Sequence, residues 1–193
     1  MENIHTNEIL DLAFCLENDN NEDSYNKSYY HFMKYFQDKG QLTEHDLVVS
    51  ANFTYGWMPT ILNFKSEEFT SAILILNQAK GAERISDDQI MTLKRLINNS
   101  LVGVSKLLHF INPNVYAIWD SRVCNFLTGM SHKYKVEKID LFWSYLDLCK
   151  RVSIDPRFLP IHETYKEKVG FEITPMRTIE QIMFIRSNEP IRR

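Results

Sequence analysis

The sequence predicts an all-α fold, on three observations. Apolar residues recur at helical spacing, as in Ile9, Leu12, Ala13 and Leu16. Helix-capping residues stand before several of these runs, among them Thr43, Ser86 and Thr174. The one segment that reads as a strand, Ala72-Ile73-Leu74-Ile75-Leu76, lies inside a capped stretch of helical length. At 193 residues, 44% hydrophobic and 24% charged, the chain can bury a core without staples. The expectation is one helical domain over residues 1–193, its first and last thirds packing as a second lobe.

Taken in order, residues 4–17 form a first helix and the Asn/Asp-rich residues 18–23 a loop. An aromatic-rich helix over 25–39 stops at Gly40, a good residue just past a helix end. Thr43 caps a helix from Glu44 through Leu47, Val48, Ala51 and Phe53, with Pro59 beyond it. Ser66 caps residues 67–80, which end at Gly81. Ser86 and Gln89 make a capping box for 87–97, and Asp87 and Asp88 suit the positive end of that helix. A Gly103-centred turn then opens a short apolar helix to Asn112 and Pro113. Residues 115–119 run extended, and Asp120 or Ser121 caps a helix to about Leu127. An amphipathic helix spans 138–151, Asp155-Pro156 and Leu159-Pro160 mark a loop, and Thr174-Pro175 open a last helix to about Ser187.

Composition narrows the function. Twenty-two basic and 25 acidic residues give a net charge of −3, so nucleic-acid binding requires segregated charge. Between Gln89 and Asn125 the bases are Lys94, Arg95, Lys106 and Arg122, and Asp120 is the only acid. A second basic run holds His132, Lys133, Lys135 and Lys138 against Glu137, while Glu17, Asp19, Glu22 and Asp23 cluster near the start. Cys15, Cys124 and Cys149 are odd in number and form no C-x-x-C pair, which fits buried free thiols in a reducing cytoplasm and disfavours a cysteine-ligated metal. The polar start is no signal peptide, and no apolar run approaches the ~20 residues of a membrane span.

Most catalytic motifs are missing. No two histidines lie three or four residues apart, so there is no helical His pair for a metal. Ser24-Tyr25-Asn26-Lys27 matches S-x-x-K without its companion motifs, and there is no G-x-S-x-G, Walker A or G-x-G-x-x-G. What stands out is Leu101-Val102-Gly103-Val104-Ser105-Lys106, followed by Ala117-Ile118-Trp119-Asp120-Ser121-Arg122-Val123.

The first of these stretches resembles the L-P-G-V-G hairpin of helix–hairpin–helix DNA repair proteins, with Val102 in place of Pro and Ser105 in place of the second Gly. The second resembles the segment that follows the hairpin in the endonuclease III and adenine glycosylase superfamily, an apolar strip ending in a catalytic Asp. His109-Phe110 with Asp120 also resembles a compact 8-oxoguanine glycosylase branch. The likeness covers residues 86–127. It implies an all-α DNA glycosylase without an iron–sulfur cluster or other cofactor, acting on double-stranded DNA, cytoplasmic and monomeric.

The resemblance assigns roles. Asp120, ionised, would stabilise the oxocarbenium-like sugar and orient water, or serve only as an N-cap. Lys106 lies beside the position at which bifunctional members hold a Schiff-base lysine, and it would be a nucleophile or a phosphate contact; the expectation is a monofunctional enzyme. Gly103, Val104, Ser105, Arg122 and Lys94 would hold DNA. Asn52, Tyr55, Trp57, His109 and Trp119 would wall a base pocket, with Tyr55, Trp57, His109 and Trp119 also readable as core. The excised base is left open between a glucosylated hydroxymethylcytosine of phage DNA, as for small antiviral glycosylases of similar pattern, and an oxidised, alkylated or deaminated base. A DNA-binding module without chemistry and a helical interaction protein are the alternatives.

Overall fold

A computed structural model describes residues 6–18, 24–58, 60–129 and 134–188, and among them the structure is helical with no strand. The helices are α1 (Thr6–Asp11), α2 (Ser24–Gln37), α3 (Glu44–Trp57), α4 (Phe69–Ala79), α5 (Asp87–Leu96), α6 (Leu101–Ile111), α7 (Ser121–Thr128), α8 (Ile139–Ser153), α9 (Phe158–Val169) and α10 (Pro175–Ile185). Short 3₁₀ turns stand at Ala13–Asn18, Ser66–Glu68 and Arg186–Asn188. The chain divides into a central unit, Glu22–Tyr116, and a terminal unit of Met1–Asn21 with Ala117–Arg193.

The central unit is built round α6, which packs against α2, α3, α4 and α5. Its sequence has almost no polar face, so Leu101, Val104, Leu107, Leu108, Phe110 and Ile111 are all buried. A helix apolar all round needs neighbours on every side. Full burial of each Leu or Phe contributes roughly 1.5–3 kcal/mol.

The caps follow the sequence. Thr43 and Asp46 form a capping box on α3, and Ser86 and Gln89 form one on α5. Burial works against the Asp46 carboxylate, but Lys39 at 2.6 Å, Thr43 and the Tyr35 hydroxyl outweigh it and hold its pKa well below the usual range. Ser66 does not open α4: that helix begins at Phe69, with Glu68 at the cap position and no side-chain cap bond.

The connection between α5 and α6 corrects the reading of a Gly-centred turn. Gly103 is the third residue of α6, and the chain reverses earlier, at Ile97–Ser100. Asn98 and Asn99 take left-handed backbone, at φ 56° and 52°, and the Ser100 N–H donates to Ile97 O at 3.2 Å. Asparagine tolerates that region better than other non-glycine residues. Ser100 then caps α6 by accepting the Gly103 N–H. Glycine is required at 103 for space instead: an added Cβ would stand 2.9 Å from Tyr55 Cζ.

The terminal unit is organised round α10, which packs against α1, α7, α8, α9 and the Ala13–Asn18 turn. Thr174 caps it, Pro175 occupies its first turn, and Ile179, Ile182 and Met183 are buried. The first helix is shorter than expected, because residues 13–18 tighten into 3₁₀ form. Leu159-Pro160 is the larger correction, lying in α9 (Phe158–Val169) where the sequence reads as a loop. Pro160 lies in the first turn, where backbone N–H groups have no intrahelical partner to lose. Gly170, at φ 82°, ends α9 and donates its N–H to Lys166 O.

Candidate functional site

Asp120 belongs to the terminal unit, and the strip before it is anchored there. Trp119 is fully buried, donates Nε1–H to Val136 O at 2.7 Å and packs against Tyr145 and Phe142. The Tyr145 hydroxyl donates to Ile118 O at 2.9 Å, and burial raises the Tyr145 pKa well above its usual value. Residues 117–119 are therefore fixed in the core, and Asp120 emerges half-buried as the N-cap of α7. Its Oδ1 accepts the Arg122 and Val123 N–H groups at 2.9 and 3.0 Å. Oδ2 has no hydrogen-bond partner among the described residues. A carboxylate held through one oxygen at the positive end of a helix keeps the other available to a developing positive charge.

Around Asp120 the environment is mixed. Arg122 is exposed, its guanidinium 4.4 Å over the Phe184 ring. Cys124 is buried, and burial raises its thiol pKa. Of the second basic run, His132 and Lys133 lie outside the described residues.

The central unit holds the other expected site residues. The side chains of Val104 and Ser105 are fully buried, with the Ser105 hydroxyl donating to Val102 O at 2.9 Å, and Lys94 is buried too. Gly103 faces Tyr55. These side chains lie in the interior. Lys106 is half-buried, its ammonium 5.0 Å over the Trp57 ring.

The expected base-pocket residues divide in the same way. Tyr55 is buried, its hydroxyl donating to Ile97 O at 3.1 Å. His109 is buried with Nε2 2.8 Å from Tyr29 Oη and Nδ1 2.7 Å from Tyr116 O, a core histidine whose two nitrogens are both partnered. Trp119 is core as well. Asn52 is exposed on α3, its amide donating back to Val48 O. Trp57 alone of the five combines partial exposure with an aromatic neighbourhood, formed by Tyr29, Phe32 and Phe110. Tyr55, His109 and Trp119 are thus buried, and of the five only Asn52 and Trp57 reach the surface.

One feature escapes sequence reading. A surface cleft of about 450 Å³ is lined by Asn63, Lys65, Arg95, Asn98 and Asn99. Residues 61–65 are stitched to the α5–α6 turn. Phe64 and Ile97 form an antiparallel bridge, and the Lys65 N–H donates to Leu96 O at 3.0 Å. The Asn98 side chain donates to Ile61 O at 2.8 Å and accepts the Asn63 N–H at 2.5 Å. Asn-Asn before a capping Ser signals a left-handed turn. The arrival of Lys65 from a separate segment has no local signal.

Among the described residues no group of His, Cys, Asp and Glu side chains could hold a metal, and no helix is long and apolar enough to cross a membrane. Comparison with protein-family models, with curated proteins and with solved structures gives no match.

Proposed function

We propose that this chain is a DNA glycosylase that hydrolyses the N-glycosidic bond of a flipped, modified or damaged base in duplex DNA. The observation that carries the reading is Asp120: Oδ1 is held by two helix N–H groups and Oδ2 has no hydrogen-bond partner among the described residues. Breaking the glycosidic bond builds positive charge on the sugar, and a fixed carboxylate stabilises that charge most where it needs no reorganisation. The α5–turn–α6 arrangement supports a helix–hairpin–helix role, its reversal supplied by Asn98-Asn99 and its second helix capped by Ser100.

Lys106 supports the monofunctional form. Its ammonium lies over the Trp57 ring, where it serves as a cationic contact, and in this reading water attacks the sugar and an abasic site remains. The substrate is either a glucosylated hydroxymethylcytosine of phage DNA or a lesion base. A DNA-binding module without chemistry is the second reading, because capping α7 is by itself a use for Asp120, contributing about 1 kcal/mol.

The test incubates the protein with duplexes carrying glucosylated hydroxymethylcytosine, oxidised, alkylated or deaminated bases, and reads alkali-labile breaks. Breaks on one modified base are expected. Duplex binding with no breaks on any of them supports the module.

A further inference from the structure

We propose that Tyr145 of α8 is a positioning residue for Asp120: through its bond to Ile118 O it sets where the carboxylate stands. The inference rests on the reading of Asp120 as the group that faces the sugar. It assigns the placing of that group to a side chain inside the core, away from any substrate.

The strip that leads to Asp120 has little else to hold it. Residues 117–119 belong to no helix, so no ladder of backbone bonds fixes them. A buried carbonyl in such a segment needs a donor from elsewhere. Ile118 O has one, the Tyr145 hydroxyl at 2.9 Å, and takes no other hydrogen bond among the described residues. A second tie is the Trp119 indole on Val136 O. The two ties grip different things. The indole bond holds a side chain, which has torsions of its own, whereas the hydroxyl bond holds the main chain two residues before Asp120.

Asp120 is where this strip meets a helix that is held separately. Val123, Cys124, Phe126 and Leu127 seat α7 in the core, and α7 packs on α10. From that side the Arg122 and Val123 N–H groups hold Oδ1, and the Cys124 N–H holds the Asp120 carbonyl at 2.9 Å. From the other side only the strip fixes the extended backbone of Asp120, at φ −144°, and with it the direction of the side chain. Tyr145 is a firm post for that purpose. It is fully buried, its ring centroid lies 5.3 Å from that of Trp119, and α8 packs on α10. Burial above all, with Cys149, Glu180 and Asp120 adding to it, keeps the hydroxyl protonated and therefore a donor. A shift of about 1 Å in a reacting group can cost on the order of 100-fold in rate, so a hydroxyl at this distance from the chemistry still governs it.

The experiment uses Tyr145→Phe in the full chain, which keeps the ring and removes the hydroxyl. The first readout needs no DNA. The amide NMR shifts of Arg122 and Val123 report the bonds to Asp120 Oδ1, and the Arg177 amide, bonded to Thr174 Oγ1 at the start of α10, is the internal reference. In Tyr145→Phe the Arg122 and Val123 amide protons should move upfield while that of Arg177 stays. The second readout is single-turnover excision on the duplex that the wild type cleaves. It should slow by about tenfold or more, with the duplex Kd changed by less than about twofold. Ile179→Val trims a core methyl group of α10 instead, and should leave both readouts at their wild-type values.

Arg122 and Val123 amides that do not move overturn the proposal, as does an Arg177 amide that moves as far as they do, or an equal slowing in Ile179→Val. Shifted amides with a wild-type excision rate also overturn it. If the wild type excises a base and Tyr145→Phe matches it in both readouts, the positioning role fails and the glycosylase reading stands. If the amides shift as expected but the wild type excises no base, Tyr145 still places Asp120 and the glycosylase reading fails.

Discussion

Gly103 of α6 lies against the Tyr55 ring, so closely that a β-carbon at 103 would stand 2.9 Å from Tyr55 Cζ. Tyr55 has no room to withdraw, because it is buried and its hydroxyl is bonded to Ile97 O. Gly103→Ala gains up to ~1 kcal/mol in helix propensity and loses about 1–3 kcal/mol to overpacking. A net loss is expected in urea denaturation, partly recovered in Gly103→Ala with Tyr55→Leu. A more stable Gly103→Ala would mean the ring yields.

Asn98 combines left-handed backbone with two side-chain bonds across to residues 61–63. Asn98→Ala forfeits both, at about 1–2 kcal/mol for the backbone and ~1 kcal/mol for each bond. Asn98→Gly keeps the backbone freedom and loses only the bonds. Denaturant midpoints should therefore fall more for Ala than for Gly; equal losses would show that the left-handed conformation contributes nothing.

These two positions mark how far the sequence could be read. The capping boxes at Thr43 and Ser86, and the Asp120 and Thr174 caps, are legible because they depend on residues three apart or less. The role of Gly103 is not, since its reason is a tyrosine on another helix. The interior destinations of Val104, Ser105, His109 and Trp119 are equally tertiary facts. The start of α9 is not legible either, because Pro160 signals a break in mid-helix but is tolerated in a first turn. Lys65 reaches the turn only through a bridge that no local pattern encodes.

His162 should make the terminal unit sensitive to mild acid. It is buried, stacked on Phe158 and bonded through Nδ1 to Thr178 Oγ1 at 2.8 Å. Burial lowers its pKa and Lys166 adds to this, with Glu163 and Glu172 partly opposing. The unfolded imidazole, at about 6.5, thus binds a proton that the folded one refuses. Its contribution is complete above about pH 6.5 and declines as pH falls toward the folded value. Asp155, held at about 2 by Arg157, loses its contribution only in stronger acid. Urea midpoints should drop between about pH 7 and pH 5 in the wild type and less in His162→Gln. Equal drops would exclude His162 as the cause.

Glu180 is buried on α10 and ion-paired with Arg177 one turn away. Removing one partner strands a buried charge, so Glu180→Ala should cost about 3–5 kcal/mol. Arg177→Met with Glu180→Leu should recover most of that loss, because it removes both charges together. Thermal melts of the single and double variants test this, and a double variant as unstable as Glu180→Ala would point to other partners of the pair.

Asp120→Asn separates the two uses of the residue. Asparagine caps a helix about as well as aspartate, so the helix start should lose no more than ~1 kcal/mol, the part owed to charge at the helix end. The neutral amide cannot stabilise a cationic sugar, and excision should fall by about 100-fold or more. The decisive measurement is the single-turnover rate of alkali-labile site formation by Asp120→Asn on the duplex that the wild type cleaves, at matched DNA occupancy. A loss of that size with duplex binding intact is the predicted result; a rate equal to the wild type would contradict the assignment of the chemistry to Asp120.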